Sequence, residues 1–160
     1  MKLINNSVYN HKTTKMNTKK IAIGSDHAGF DLKEKVIKHL SNKGLEIKDF
    51  GPYNSERADY PDFAHPVAKS VTNKEVDLGI LICGSGNGIN MTANKHQEIR
   101  SALCWEKEIA EMARLHNNAN IIALPARYIS EDLAIDCVDV FINTDFEGGR
   151  HEARVAKISC

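Results

Sequence analysis

From residue 20 onward the chain alternates between short runs rich in apolar residues and longer stretches in which apolar residues recur every third or fourth position. The runs KIAIGS (20–25), LEIKDFG (45–51), VDLGILIC (76–83), IRSALCW (99–105) and ANIIALPA (119–126) read as strands, the first of them buried and the third the strongest signal. Between the first two, Leu32, Val36, Ile37 and Leu40 share one face of a helix over residues 29–44, with Gly44 as its stop. DFAHPVAKSVTN (62–73) predicts a helix with Pro66 in its first turn, and GINMTANKH (88–96) a short one. EKEIAEMARLHN (106–117) is rich in strong helix formers, and SEDLAIDCVDVFIN (130–143) is a helix with Ser130 as its cap. The last ten or so residues of FEGGRHEARVAKIS (146–159) predict a closing helix.

Strands and helices in this alternation predict an open, doubly wound α/β domain with a parallel sheet covered on both faces. Such sheets bind ligands beyond the carboxyl ends of their strands. Three segments fall there: GSDHAG after the first strand, CGSGNG after VDLGILIC, and LPAR after the last strand.

Composition narrows the function classes. Lys plus Arg and Asp plus Glu number 21 each, so no broad field favours nucleic acid or an anionic membrane. No run approaches the roughly 18 apolar residues of a membrane span. The four cysteines, Cys83, Cys104, Cys137 and Cys160, are widely spaced without a CxxC pair, which suits free thiols in a reducing, cytoplasmic setting. Residues 1–19 are polar, lack acidic residues and lack the apolar core of a secretory leader. They are expected to form a disordered extension, with Met16 an alternative start, ahead of a single domain over residues 20–160.

Cys83 closes the strongest strand, and the glycine loop after it opens a helix. Unpaired backbone N–H groups and the positive end of the helix dipole there favour the thiolate, which is the reactive form. A buried strand-end cysteine is the equally weighted alternative. GSGNG has the register of neither a Walker loop nor a dinucleotide fingerprint, but beside a thiolate its N–H groups could hold an oxyanion. Asp26 reads either as a helix cap or, with His27, as part of a site. His116 and Asn117 stand at a helix end, where a basic group also complements the dipole. Arg150 and Arg154 are four apart, a spacing that can clamp a phosphate or merely face solvent. No Cys/His/Asp cluster has metal-ligand spacing. Taken together, the residues point to metal-free acid–base chemistry on a small phosphorylated substrate.

The motifs IAIGSDHAGF, DYPDFA, GILICGSGNGI and FEGGRHE, in this order and spacing, resemble the ribose-5-phosphate isomerase B family, which also includes galactose-6-phosphate isomerase subunits. The resemblance runs from about residue 20 to 158. It implies a three-layer, Rossmann-like α/β fold with a five-stranded parallel sheet, no cofactor or metal, and a homodimer with active sites across its interface, often a tetramer. By the same resemblance Cys83 is the base that shuttles a proton between C2 and C1 of the open-chain sugar. The loop Gly84, Ser85, Gly86, Asn87, Gly88 binds the enediolate, and Ser85, Asp26 and His116 take part in ring opening. Asn117 contacts sugar hydroxyls, while His27, Arg127, Arg150 and Arg154 contact the phosphate. Tyr60, with Arg57, lines the part of the pocket that separates pentose from hexose. Relatives with GSGNGE use the glutamate as base and lack the cysteine; here that position is Ile89 and Cys83 is present, the cysteine type. The implied activity is interconversion of ribose 5-phosphate and ribulose 5-phosphate. The alternatives are a galactose or allose 6-phosphate isomerase and a non-catalytic phosphosugar-sensing module.

Overall fold

The computed structural model describes residues 18–159, so the extension expected over residues 1–19 lies outside it except for its last two residues. Of those, Lys19 already belongs to the domain, because its Nζ donates to the Ile142 carbonyl at 2.6 Å. Five strands, β1 (Lys20–Ser25), β2 (Glu46–Asp49), β3 (Leu78–Cys83), β4 (Ser101–Leu103) and β5 (Ile121–Pro125), form one sheet in the order β2-β1-β3-β5-β4. Every neighbouring pair is parallel. β1, β3 and β5 are central and almost wholly buried, while β2 and β4 are partly exposed edges.

The helices are α1 (Phe30–Asn42), α2 (Tyr60–Thr72), α3 (Asn87–Ala93), α4 (Lys107–Asn117), α5 (Glu131–Asn143) and α6 (Glu152–Val155). α2 and α3 cover one face of the sheet through residues such as Val67, Ala68, Ile89 and Ala93. α1, α4 and α5 cover the other through Val36, Leu40, Ala113, Val138 and Phe141. The result is the expected three-layer, Rossmann-like α/β fold. Alternation along β3 sends Ile80 and Ile82 toward α1, α4 and α5, and Leu81 and Cys83 toward α2 and α3. Among the described residues no helix is long and apolar enough to cross a membrane.

Local signals act as their chemistry dictates. Ser130 Oγ accepts the Leu133 N–H at the start of α5. Gly44, at φ 80°, ends α1 in a Schellman arrangement, with Gly44 N–H to Ser41 O and Leu45 N–H to Leu40 O. Two expectations need correction. Pro66 lies inside α2, which starts earlier than predicted, and Pro61 occupies the first turn instead. The closing helix is short: a 3-10 turn at Gly149–His151 leads into α6, and the bonds from Lys157 N–H to Arg154 O and Ile158 N–H to Val155 O are three-residue turns. With only Val155 partly buried after His151, this segment has no apolar face to extend an α-helix.

Candidate active site

The strand order sets the carboxyl ends of β1, β3 and β5 side by side. After β1 the chain turns to the layer of α1, and after β3 to the layer of α3, so a crevice opens between their ends. GSDHAG, CGSGNG and LPAR converge there. The Asp26 N–H donates to Ile82 O at 3.1 Å, joining the first loop to β3. Asp26 itself is buried and its Oδ1 caps the Gly29 N–H at 2.9 Å, so the capping role foreseen for it is real. His27 is exposed, and its Nδ1 lies 3.1 Å from the Ala58 carbonyl oxygen of the loop before α2.

Cys83 is the last residue of β3 and 4% exposed. Its carbonyl accepts the Ala126 N–H at 2.9 Å, and Gly84 O accepts the Arg127 N–H at 3.0 Å, which ties the β5 turn along the glycine loop. The Arg127 guanidinium carbon sits 3.3 Å from where a Gly84 side chain would start. Gly86 holds φ 74° as the residue before α3. Ser85 and Asn87 are exposed at the rim, and Ser85 Oγ accepts the Asn87 N–H at 3.3 Å. The Tyr60 ring closes over Gly88, 2.6 Å from its missing side-chain position. Beyond the loop lies a cleft of about 370 Å³ lined by Ser85, Asn87, Leu103, Trp105, Pro125 and Tyr128. Cys104 and Cys137 sit in the core instead. Burial pushes their thiols up to about 12 and about 11, with a further push on Cys104 from Cys137 and on Cys137 from nearby carboxylates. Both are held as unreactive thiols.

The other expected residues lie elsewhere. α4 runs back against the strands and ends at Asn117, where Asn118 adopts φ 47° ahead of β5. β5 begins at Ile121, opposite Gly79, four residues before Cys83 and hence about 13 Å from it along the strand. His116 and Asn117 therefore stand at the amino end of the sheet, on the α4 layer. The segment after α5 joins them there, because the Glu147 N–H donates to Leu115 O at 3.1 Å. Gly148 (φ 71°) and Gly149 (φ 56°) then reverse the chain toward exposed Arg150 and Arg154. Within one chain the strand-end loops and these basic residues do not meet.

Two residues that sequence reasoning passed over complete this second cluster. The buried His151 ring stacks on His116, with centroids 4.3 Å apart and planes 11° apart. Glu147 Oε2 lies 3.6 Å from His116 Nε2 and 3.4 Å from His151 Nε2. Arg150 Nε donates to His151 Nε2 at 3.4 Å. Burial, then the charges of His116 and Arg150, push the His151 imidazole toward its neutral form, with Glu147 opposing. The signal was the glycine pair in EGGRH, whose reversal returns residue 151 to the side of residue 147. The three ligand-type atoms lie within 4.8 Å of one another. A metal must lie near the plane of each imidazole it binds, however, and two planes stacked 11° apart do not meet at bonding distance. Arg150 also engages the His151 nitrogen, so the cluster fits hydrogen bonding and charge pairing better than a cation.

The chain is similar to known proteins. The Ribose/Galactose Isomerase family model matches residues 21–158. Ribose-5-phosphate isomerase B of Escherichia coli K12 is 46% identical over 141 residues, covering 88% of this chain and 95% of its own. The Thermotoga maritima ribose 5-phosphate isomerase structure superposes with a TM-score of 0.87 at 52% identity, covering 88% of this chain and 97% of that one. The Mycoplasma genitalium ribose-5-phosphate isomerase B structure, described with bound ribulose-5-phosphate, gives 0.83 at 45% identity, over 87% and 93%. With a match across nearly all of its described length and the same overall fold, the chain belongs to the ribose/galactose isomerase family.

Proposed function

We propose that the protein interconverts ribose 5-phosphate and ribulose 5-phosphate, as the names of its relatives state for theirs. The observation that carries this reading is Cys83 at the end of β3, directly under a glycine loop at the sheet's switch point. In the reaction Asp26 and His116 open the sugar ring, with Ser85 assisting. The Cys83 thiolate takes the C2 proton, the N–H groups from Gly84 to Gly88 hold the enediolate, and the proton returns to C1. Asn117 binds sugar hydroxyls, Tyr60 walls the pocket, and His27, Arg127, Arg150 and Arg154 hold the phosphate.

Because Cys83 and Asp26 lie at one end of the sheet and His116, Asn117, Arg150 and Arg154 at the other, each complete site draws on two copies of the chain. The working unit is a homodimer of the domain over residues 20–160, with active sites at its interface and room for a tetramer. The reaction belongs to pentose phosphate metabolism. Free thiols at Cys83, Cys104 and Cys137 support a reducing, cytoplasmic compartment.

The test is a coupled assay on ribose 5-phosphate, allose 6-phosphate and galactose 6-phosphate, with wild type and Cys83→Ser in parallel. Ribose 5-phosphate should turn over fastest, and the serine variant should lose about a thousandfold in kcat with little change in KM. Turnover of a hexose phosphate alone would keep the chemistry and replace the substrate. Near-normal kcat in Cys83→Ser would remove the base. EDTA should leave the rate unchanged.

A further inference from the structure

Two groups beside His116 have no part in the reaction as written: Glu147 and His151. Both are placed with care by the fold. The Glu147 backbone is pinned to the last turn of α4 through Leu115 O, one residue from His116. The left-handed Gly148–Gly149 reversal then returns His151 beneath the same carboxylate. A side chain at Gly148 would approach Glu152 Oε1 at 3.0 Å in a left-handed backbone, so this reversal needs glycine. The outcome is a buried imidazole lying flat against one face of His116, and a carboxylate oxygen against its Nε2 edge. His151 accepts from Arg150 at Nε2, and the same Glu147 oxygen faces both rings, 3.4 Å from His151 Nε2 and 3.6 Å from His116 Nε2, so one carboxylate ties the two imidazoles together.

We propose that Glu147 and His151 are positioning residues that hold the His116 imidazole as the proton donor for opening the sugar ring. The proposal rests on the isomerase reading above. In that step the ring C1–O bond breaks, His116 gives its proton to the departing ring oxygen, and Asp26 takes the proton from the C1 hydroxyl as the aldehyde forms. The carboxylate holds the Nε2 edge of His116, which leaves its Nδ1 N–H as the one to be given up, and the His151 ring blocks rotation of His116 about its side-chain torsions. At 3.4 and 3.6 Å the carboxylate contacts are ion-pair distances longer than a good hydrogen bond, so Glu147 orients without removing the proton.

Ribulose 5-phosphate provides the test, because its C5 oxygen is esterified and it cannot close a five-membered ring. Exchange of its C1 hydrogen with deuterated water therefore requires Cys83 and the glycine loop but no ring opening. Glu147→Gln should lower kcat on ribose 5-phosphate by about tenfold to a hundredfold. KM should stay within about twofold, and C1 exchange on ribulose 5-phosphate should stay near the wild-type rate. His151→Ala should behave alike, while His151→Phe, which keeps a flat ring against His116, should recover most of the loss. Unchanged kcat in Glu147→Gln would overturn the proposal. So would a parallel fall in C1 exchange, which would mark a general loss of structure. A wild type inert toward both sugars would instead sink the isomerase reading itself.

Discussion

Gly86 holds φ 74°, and a side chain there would start 2.3 Å from Leu103 Cδ1 and 3.2 Å from the Leu124–Pro125 backbone. Gly84 differs, since the nearest atoms its missing side chain would meet belong to the guanidinium of exposed Arg127, at 3.3 Å. The two substitutions should separate in kinetics. Gly86→Ala strains the backbone by about 1–3 kcal/mol and pushes the loop off its neighbours. Its kcat should fall by about a hundredfold, the scale of a lost oxyanion donor, and urea unfolding should show the destabilisation. Gly84→Ala should displace Arg127 and mainly raise KM, with kcat nearly retained. Equal kinetics for the two would contradict this division of roles. A GxGxG pattern was legible in the sequence, but which glycine is indispensable depends on Leu103 and Pro125, residues brought in by two other strands.

The elements show the same division between local and distant causes. In α1 the apolar stripe Leu32, Val36, Ile37 and Leu40 was legible, yet the side chain of Lys33 is wholly buried. Its ammonium lies 2.8 Å from Asp49 Oδ2 at the end of β2 and 2.8 Å from Glu34 Oε1. Asp49 Oδ1 in turn accepts the Gly51 N–H at 2.8 Å. This bridge sets the start of the loop over residues 50–59, which carries Ala58 to His27. Asp49→Ala leaves the buried ammonium with only a half-exposed partner and should cost about 3 kcal/mol in urea unfolding. It should also raise KM through His27. Lys33→Met removes the buried charge altogether and should cost less. The reverse order would mean that the pair does not govern this corner. No helical period announces a buried lysine, because its partner sixteen residues away is supplied by the sheet.

At the scale of the molecule, the separation of Cys83 from His116 gives a direct test of shared sites. Cys83→Ser and His116→Ala should each be nearly inactive alone. Co-expressed, the pool should regain about a quarter of wild-type activity, since about half of randomly paired dimers are mixed and one of two sites in each of those is intact. No recovery would place the whole site in one chain. The core sets an alkaline limit on stability. Cys104 and Cys137 stay protonated in the fold up to about 12 and about 11, whereas the unfolded chain loses those protons near 9.0. Above pH 9 the native state binds more protons than the unfolded state, so stability falls as pH rises through that window. The Tm should drop between about pH 9 and 11, and less steeply in a Cys104→Ala, Cys137→Ala double variant. Equal slopes would assign the effect to other groups.

The three central strands could be read directly from the chain, because a strand buried on both faces must be apolar almost throughout, and β3 and β5 are. The three ligand loops followed, since each stands at the end of such a run. Of the side chains we propose for acid–base work and phosphate binding, Cys83, Asp26, His27 and Arg127 stood in those loops. Only the tertiary structure decided the order β2-β1-β3-β5-β4, which puts those three loops together, and the placement of His116, Arg150 and Arg154 at the far end of the sheet. It alone stacked His151 on His116 beneath Glu147. Periodicity records which face of an element is buried; which elements become neighbours is set by long-range packing, and that carries no local period.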